Sequence, residues 1–445
     1  MRIRTCVALF LLASIDGRAQ TPAPADVDPV VARIVASVDE SRVAATVKSL
    51  ADFGTRQLYS DTTSATRGIG AAREWIRRQF VAEGSRLQVS FDTYQVAAQG
   101  GRLPRDVELR NVVAVLPGRS QRRIYVTGHY DSVARRTDGQ GGTTGFDWTR
   151  ADNDAPGAND DGSGTTVVLE AARVLAASGV DFDATLVFVA FAGEEQGLVG
   201  ATLHSARARQ EGWRIDAVLN NDIVGGSHGG AGVSDAAQVR IFSEGPEDSP
   251  SRQVARYVRR QAARYQPGHA VTLIGRADRF GRGGDHTPFN QQGIAAVRVS
   301  EAREHYARQH SVDDTPDGVD AAYLTRNVRV NVAALASLAL APSAPRVTDN
   351  DGVPRLTRGA SGYDAQLAWA AVAGAAGYRV FWRNAWTPDW EHEITVGPVT
   401  ETMLSGVSID NVVIGVAAVD SNGHESLTSV YVMPERKLRE IKTVR

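Results

Sequence analysis

Between Val27 and about Ser343 the apolar positions switch between two periods, short continuous runs and helical faces. Asn111 to Leu116 (Asn-Val-Val-Ala-Val-Leu) is a run stopped by Pro117-Gly118 and predicts a strand. Arg123 to Thr127 predicts another, leading into His129. Gly164 to Ala177 puts Val167, Val168, Ala171, Val174 and Leu175 on one face and predicts a helix, with Ser163 as N-cap and Gly179 as its stop. Thr185 to Phe191 is apolar throughout, as expected for a strand covered on both faces. Ala217 to Asn221 and Ile294 to Val299 predict further strands, and Ser249 to Tyr265 and Val319 to Leu340 further helices. This alternation predicts an α/β fold, a three-layer α/β/α arrangement around a mixed, mostly parallel central sheet. Clefts in such folds form at strand ends.

Beyond Ala341 to Val347, a linker carrying Pro342 and Pro345, the pattern changes. Ala365 to Trp369, Gly377 to Trp382, Glu393 to Val396 and Asn411 to Val419 read as short strands separated by Gly, Asn and Pro. They predict a small C-terminal β-sandwich over 344–435, after an α/β domain over 27–343. Trp382, Trp386 and Trp390 lie close together there and are candidates for docking onto the larger domain. No internal repeat is visible.

Composition changes this picture little. The 445 residues are 42% hydrophobic and 22% charged, with a net charge of -2, which points to neither nucleic acid nor an anionic membrane surface. No apolar run beyond the N-terminus is long enough to span a bilayer. The N-terminus itself reads as a secretory signal, 1–19: Arg2 and Arg4, an apolar run from Cys6 to Ile15, then Gly17-Arg18-Ala19. Cleavage there implies a secreted or periplasmic protein and removes Cys6, the only cysteine.

Candidate chemistry gathers after the predicted strands. His129-Tyr130-Asp131 sets an imidazole and a carboxylate on one face of an extended segment, so Asp131 can fix the tautomer of a metal-binding His129. Asp160 lies in a Gly-rich turn before the predicted helix, a place where Asp also serves as a cap. Glu194-Glu195 ends the apolar run Leu186 to Ala192, and adjacent side chains diverge, so one can ligate metal while the other faces water. Asp222 follows another strand. His310, His305 and His286 compete as the second imidazole, and spacing alone does not choose. Two imidazoles and three carboxylates, one bridging, suit a pair of Zn²⁺ ions and point to metal-assisted hydrolysis.

Residues 47 to 340 resemble the di-zinc aminopeptidase superfamily, which includes bacterial secreted aminopeptidases, glutamate carboxypeptidases and the transferrin receptor. The match runs through Phe53-Gly-Thr-Arg56, Gly68-Ile-Gly-Ala-Ala72, Asn111-Val-Val-Ala114 and all the acid and histidine motifs in order. The resemblance implies that His129, Asp160 and Asp222 hold one zinc and Asp160, Glu195 and His310 the other. It further implies Glu194 as general base, Asp131 behind His129, and a cis bond between Asp160 and Asp161. His310 is preferred to His305 because His310-Ser-Val-Asp-Asp-Thr resembles the family's His-Thr-x-x-Asp-Thr. Gln309 stands where the family often has an aromatic residue, which opens the identity of the oxyanion donor; Tyr306 is one candidate. Residues 344 to 432 resemble a fibronectin type III domain through Leu367-Ala-Trp369, Gly377-Tyr-Arg-Val-Phe-Trp382 and Val416-Ala-Ala-Val-Asp-Ser-Asn-Gly423. The expected activity is that of a secreted exopeptidase, foremost an aminopeptidase, acting on peptides. Carboxypeptidase or glutaminyl cyclase action on the same scaffold is the alternative, and a non-catalytic adhesion protein the rival from another class. Loops Ala134 to Asp154 and Gly225 to Ala231 are expected to wall the substrate pocket.

Overall fold

A computed structural model describes residues 27–136, 145–149 and 151–434. The expected signal segment and part of the loop Ala134 to Asp154 lie outside these residues. The chain opens with helices α1 (Pro29–Ala36), α2 (Glu40–Ala51) and α3 (Gly68–Ala82), followed by strands β1 (Gln88–Val96), β2 (Val107–Leu116) and β3 (Arg122–His129). Then come α4 (Gly162–Ala177), β4 (Thr185–Phe191), α5 (Val199–Gln210), β5 (Arg214–Asn221), β6 (Gln238–Ser243) and α6 (Pro250–Tyr265). β7 (Ala270–Ile274), α7 (His286–Gln291), β8 (Ala296–Glu301) and α8 (Ala321–Leu340) complete the first domain.

The eight strands form one sheet in the order β1-β2-β4-β3-β5-β8-β6-β7. The middle four, β4, β3, β5 and β8, run parallel, while β1, β2 and β6 join antiparallel to their inner neighbours. Strand β4 shows why its run is continuously apolar. Leu186, Phe188 and Ala190 enter the core beneath α4 and α8, and Val187, Val189 and Phe191 enter a second core with Ala201 of α5 and Phe289 of α7. Both faces are covered, so neither set can be polar.

Among the predicted elements β2, β3, α4 and β5 are longer than expected, β4 has the expected ends, β8 is shifted by two residues, and α6 and α8 begin one and two residues later. The N-cap of α4 is Asp161, not Ser163: the Asp161 carboxylate accepts from Gly164 N, while Ser163 Oγ donates to the Asn159 carbonyl. Ser249 caps α6 and Asp320 caps α8.

After the linker, β9 (Leu356–Arg358), β10 (Ala365–Ala368), β11 (Gly377–Asn384), β12 (His392–Val396), β13 (Glu401–Leu404), β14 (Val412–Val419) and β15 (Ser429–Val430) form two antiparallel sheets, β13-β10-β9 and β12-β11-β14-β15. Trp369, Tyr378, Val380 and Val416 share the core between them. This small domain docks on α6: Arg256 donates to the Pro388 carbonyl and lies over the Trp390 ring, and Arg260 pairs with Glu393 and Glu425. His424 meets Asp28, at the cap of α1. Of the three candidate docking tryptophans only Trp390 faces the interface, lining a cavity shared with α6. Trp386 is exposed, and Trp382 stacks on His392 within its own sheet. Among the described residues no helix is long and apolar enough to cross a membrane.

Candidate metal centre

Three parallel strands end at the same edge and deliver the candidate residues. His129 is the last residue of β3, Glu194 and Glu195 follow β4, and Asp222 follows β5. Asp160 stands just before α4, and its bond to Asp161 is cis. His310 comes from the loop after β8 and has left-handed backbone, φ 54°. Its peptide carbonyl is held by Arg135 N at 2.8 Å.

Potential ligand atoms fall into two groups, each within 4.8 Å: His129, Asp160 and Asp222, and Asp160, Glu195 and His310. Asp160 belongs to both. Its Oδ1 lies 3.3 Å from His129 Nε2 and its Oδ2 lies 3.1 Å from His310 Nε2. Glu195 Oε1 is 3.2 Å from the same His310 nitrogen and is otherwise without a hydrogen-bond partner. A carboxylate with one oxygen turned to each histidine is placed to bridge two cations. Two imidazoles and three buried carboxylates, with an acceptor left unsatisfied, fit divalent zinc. His305 and His286 belong to neither group. His286 points its Nε2 at the Ala277 carbonyl instead, 2.8 Å away.

The electrostatics follow from burying so many carboxylates together. Burial acts to lower the His310 pKa, but Glu195 and Asp160 outweigh it and push the imidazole up to about 11. Burial raises the Glu194 carboxyl well above the usual range, against the pull of His129 and with the neighbouring Glu195 adding to the rise.

Asp131 works differently from the expectation that its carboxylate fixes His129. The nearest acceptor to His129 Nδ1 is the Asp131 backbone carbonyl, at 3.0 Å, with the carboxylate at 3.6 Å. That carboxylate instead accepts from the amides of Glu194 and Glu195, both at 3.2 Å. It therefore anchors the turn bearing the paired acids, because that turn's first amides have no strand partner. Tyr306 is 64% exposed and does not line the cleft, so the structure does not bring it to the site. Gln309, next to His310, is occupied with Glu304 and Arg282.

Several supporting residues escaped the sequence reading. Asp161 Oδ1 accepts from Gly164 N and Ile223 N, and its Oδ2 from His129 N, tying the ends of β3 and β5 to the start of α4. Asp314 accepts from the amides of Asn159 and Asp160. Arg56, in the quoted Phe53-Gly-Thr-Arg56 motif but without a role there, is fully buried. It donates to the carbonyls of Leu50, Tyr130, Pro156 and Gly157, so it staples the His129 segment to the Asp160 loop. Arg298 is fully buried on β8 and pairs with Asp222 Oδ2 at 2.6 Å. Its signal in the sequence is a lone charge inside an apolar strand.

The cleft over these residues holds about 280 Å³ and is lined by Asp160, Glu194, Glu195, Asp222 and His310, with Arg102, Arg279 and Arg282. Its walls come from the β1–β2 connection and the β7–α7 loop. Neither the described part of Ala134 to Asp154 nor Gly225 to Ala231 lines it, although Phe146 stands edge-on to His310 with ring centroids 5.5 Å apart. Residues His286, Pro288 and Phe289 of α7, after the β7–α7 loop, are buried, Phe289 in the second core. Larger cavities, of about 610 and 560 Å³, lie at the domain junction and hold none of the candidate ligands.

Residues 111–335 match the model of Peptidase family M28. The chain belongs to peptidase family M28. A "Probable zinc metalloprotease" of Pyrenophora teres f. teres is 36% identical to this M28 chain, over 92% of it and 88% of the relative. One from Leptosphaeria maculans is 36% identical over 93% of this chain and 98% of its own. Such coverage exceeds what the first domain alone can supply, so the match reaches into the C-terminal sheets. Among solved structures, the Legionella pneumophila LapA aminopeptidase has a TM-score of 0.54 at 19% identity, covering 72% of this chain and 78% of its own. The Porphyromonas gingivalis glutaminyl cyclase has a TM-score of 0.52 at 18% identity, covering 67% and 98%. Both likenesses concern the fold. As an M28 peptidase the protein is a zinc metallopeptidase, a hydrolase acting on peptides.

Proposed function

We propose that the protein is an exopeptidase, foremost an aminopeptidase, holding two zinc ions per chain. His129, Asp160 and Asp222 would hold one, and Asp160, Glu195 and His310 the other. The observation that carries this is Asp160, with one carboxylate oxygen turned to each histidine. Bound zinc supplies Lewis-acid polarisation of a carbonyl and eases deprotonation of water. Glu194 belongs to neither ligand group yet lines the cleft beside both. In this reading its carboxylate takes the proton of the attacking water and passes it to the leaving nitrogen, so it ends the cycle unprotonated. Asp131 holds Glu194 at its post through the backbone amide. The named aminopeptidase neighbours support the aminopeptidase side, and the glutaminyl cyclase neighbours keep cyclisation as the second reading. We further place the enzyme in the periplasm or outside the cell, from the basic-then-apolar N-terminus.

The test is metal analysis of the purified chain together with a panel of free and N-blocked peptides. Two zinc ions per chain and cleavage only of free N-termini support the reading. One zinc ion with conversion of N-terminal glutamine to pyroglutamate, the peptide staying intact and ammonia leaving, would replace it.

A further inference from the structure

Among the described residues the cleft carries three arginines, and its only acidic lining residues are Glu194 and the candidate ligands Asp160, Glu195 and Asp222. Once those carboxylates face metal, the remaining fixed charge of the lining, apart from Glu194, is positive. Arg102 comes from the β1–β2 connection. Its Nη1 donates to the Glu195 carbonyl at 3.0 Å, and its guanidinium lies 5.4 Å from the Trp148 ring centroid. It has no carboxylate partner among the described residues. Arg279 and Arg282 come from the β7–α7 loop. Arg279 is bound on both sides, by Glu304 at 2.9 Å and Asp278 at 3.1 Å. Arg282 is held through Nη1 alone, by Gln309 Oε1 at 3.0 Å and Glu304 at 3.5 Å. Glu304 is shared by Arg240, Arg279 and Arg282, so this wall has more guanidinium than carboxylate.

A guanidinium tethered by one nitrogen keeps the rest of its planar fork in a fixed orientation, and that fork matches a carboxylate. Arg102 is tethered to the backbone of a candidate ligand, so any anion it holds lies close to the reacting carbonyl. We propose that the cleft selects substrates carrying a carboxylate within one residue of the scissile bond, with Arg102 and Arg282 as the specificity-determining pair. The carboxylate is either the C-terminal one of a short peptide or an acidic side chain; the chemistry at the arginines is the same. This inference deepens the peptidase reading above and rests on it.

The experiment compares matched pairs with the zinc-loaded, full-length enzyme: Ala-Ala against Ala-Ala-amide, and peptides with Glu or Asp against Gln or Asn beside the cleaved bond. The acid member is expected to have a kcat/KM about tenfold or more above its neutral partner, the size of a charge-assisted hydrogen bond. Arg282→Gln and, separately, Arg102→Gln should bring that ratio towards one. A preference in the first pair identifies the C-terminal carboxylate as the source, and one in the second pair the side chain. Calorimetric binding of Ala-Ala and its amide, and of one Glu/Gln pair, to zinc-loaded Glu194→Gln repeats the comparison without turnover. If wild type cleaves no peptide, the peptidase reading fails, while the binding ratios still decide this one. Equal handling of acid and neutral partners, or a preference that survives in both arginine variants, overturns the proposal.

Discussion

Glu194 touches the cleft without belonging to either ligand group, so its loss separates chemistry from metal binding. Glu194→Gln is expected to keep its zinc content and melting temperature while turnover falls about 10²-fold or more. Near-wild-type hydrolysis would remove it from the role of base. His310 and His305 make a sharper pair. His310 Nε2 lies within 3.2 Å of two candidate ligand carboxylates, whereas His305 belongs to neither group. His310→Ala should lower zinc bound per chain and His305→Ala should not, as read by metal analysis after dialysis. Glu304 offers a test of buried charge. Burial would raise its carboxyl, but Arg279 and Arg298 outweigh that and hold it down at about 2. Its folded pKa is therefore depressed, and its contribution to stability is present above the ordinary carboxylate range and lost as pH falls towards about 2. Glu304→Ala leaves several guanidiniums short of a partner and should cost about 3–5 kcal/mol near neutral pH. Denaturant melts of variant and wild type should converge on acidification.

At the scale of elements, the site depends on how closely the β3 end, the β5 end and the α4 start approach. Gly164 sits where the three meet. A Cβ there would stand 2.2 Å from the Asn221 carbonyl oxygen and 2.3 Å from Asp161 Oδ2. Backbone cannot yield that distance cheaply, and the Asp161 carboxylate that would be displaced carries the amides of His129 and Ile223. Gly164→Ala should therefore lose stability by about 1–3 kcal/mol or more, the ordinary range for overpacking. It should also weaken zinc binding, because His129 and Asp160 move with the displaced segment. A variant with wild-type melting temperature and zinc affinity would show that this crossing tolerates adjustment.

For the whole molecule, the two domains divide their labour. The cleft is lined by residues between Arg102 and His310, none of them from the C-terminal sheets. The interface nevertheless holds buried charge: Glu425 is 3% exposed and faces Arg260, Arg264 and Arg379. A chain ending near Ser343 is expected to keep small-peptide turnover per folded molecule, as the linker and sandwich suggested. It should melt at lower temperature and aggregate more readily, because removal uncovers α6, takes Glu393 and Glu425 from Arg260, and leaves Arg256 with Glu247 alone. A folded, zinc-loaded truncation that fails on small peptides would show that the second domain helps build the site.

The apolar periods of the chain were enough to predict the central strands and helices from β2 to α8 in part, the change to short strands after the linker, and the places of His129, Glu194, Glu195 and Asp222 at strand ends, whereas Asp160 precedes a helix and His310 lies in a loop. Local patterns carry that information because they reflect which faces must be buried. The choice of His310 over His305 came from resemblance, and the structure brings His310 to the cluster. What only the tertiary structure decided are the relations between distant segments. Asp131 supports the Glu194 turn more than it orients His129, and Asp161 rather than Ser163 caps α4. Arg56 and Arg298 brace loops far away in sequence, and the cleft is walled by arginines from the β1–β2 connection and the β7–α7 loop. Apart from the Asp161 cap, whose partner Gly164 is three residues on, these partners are far apart in sequence, so no local period could report them: a buried polar group takes whichever partner the fold brings within hydrogen-bond reach.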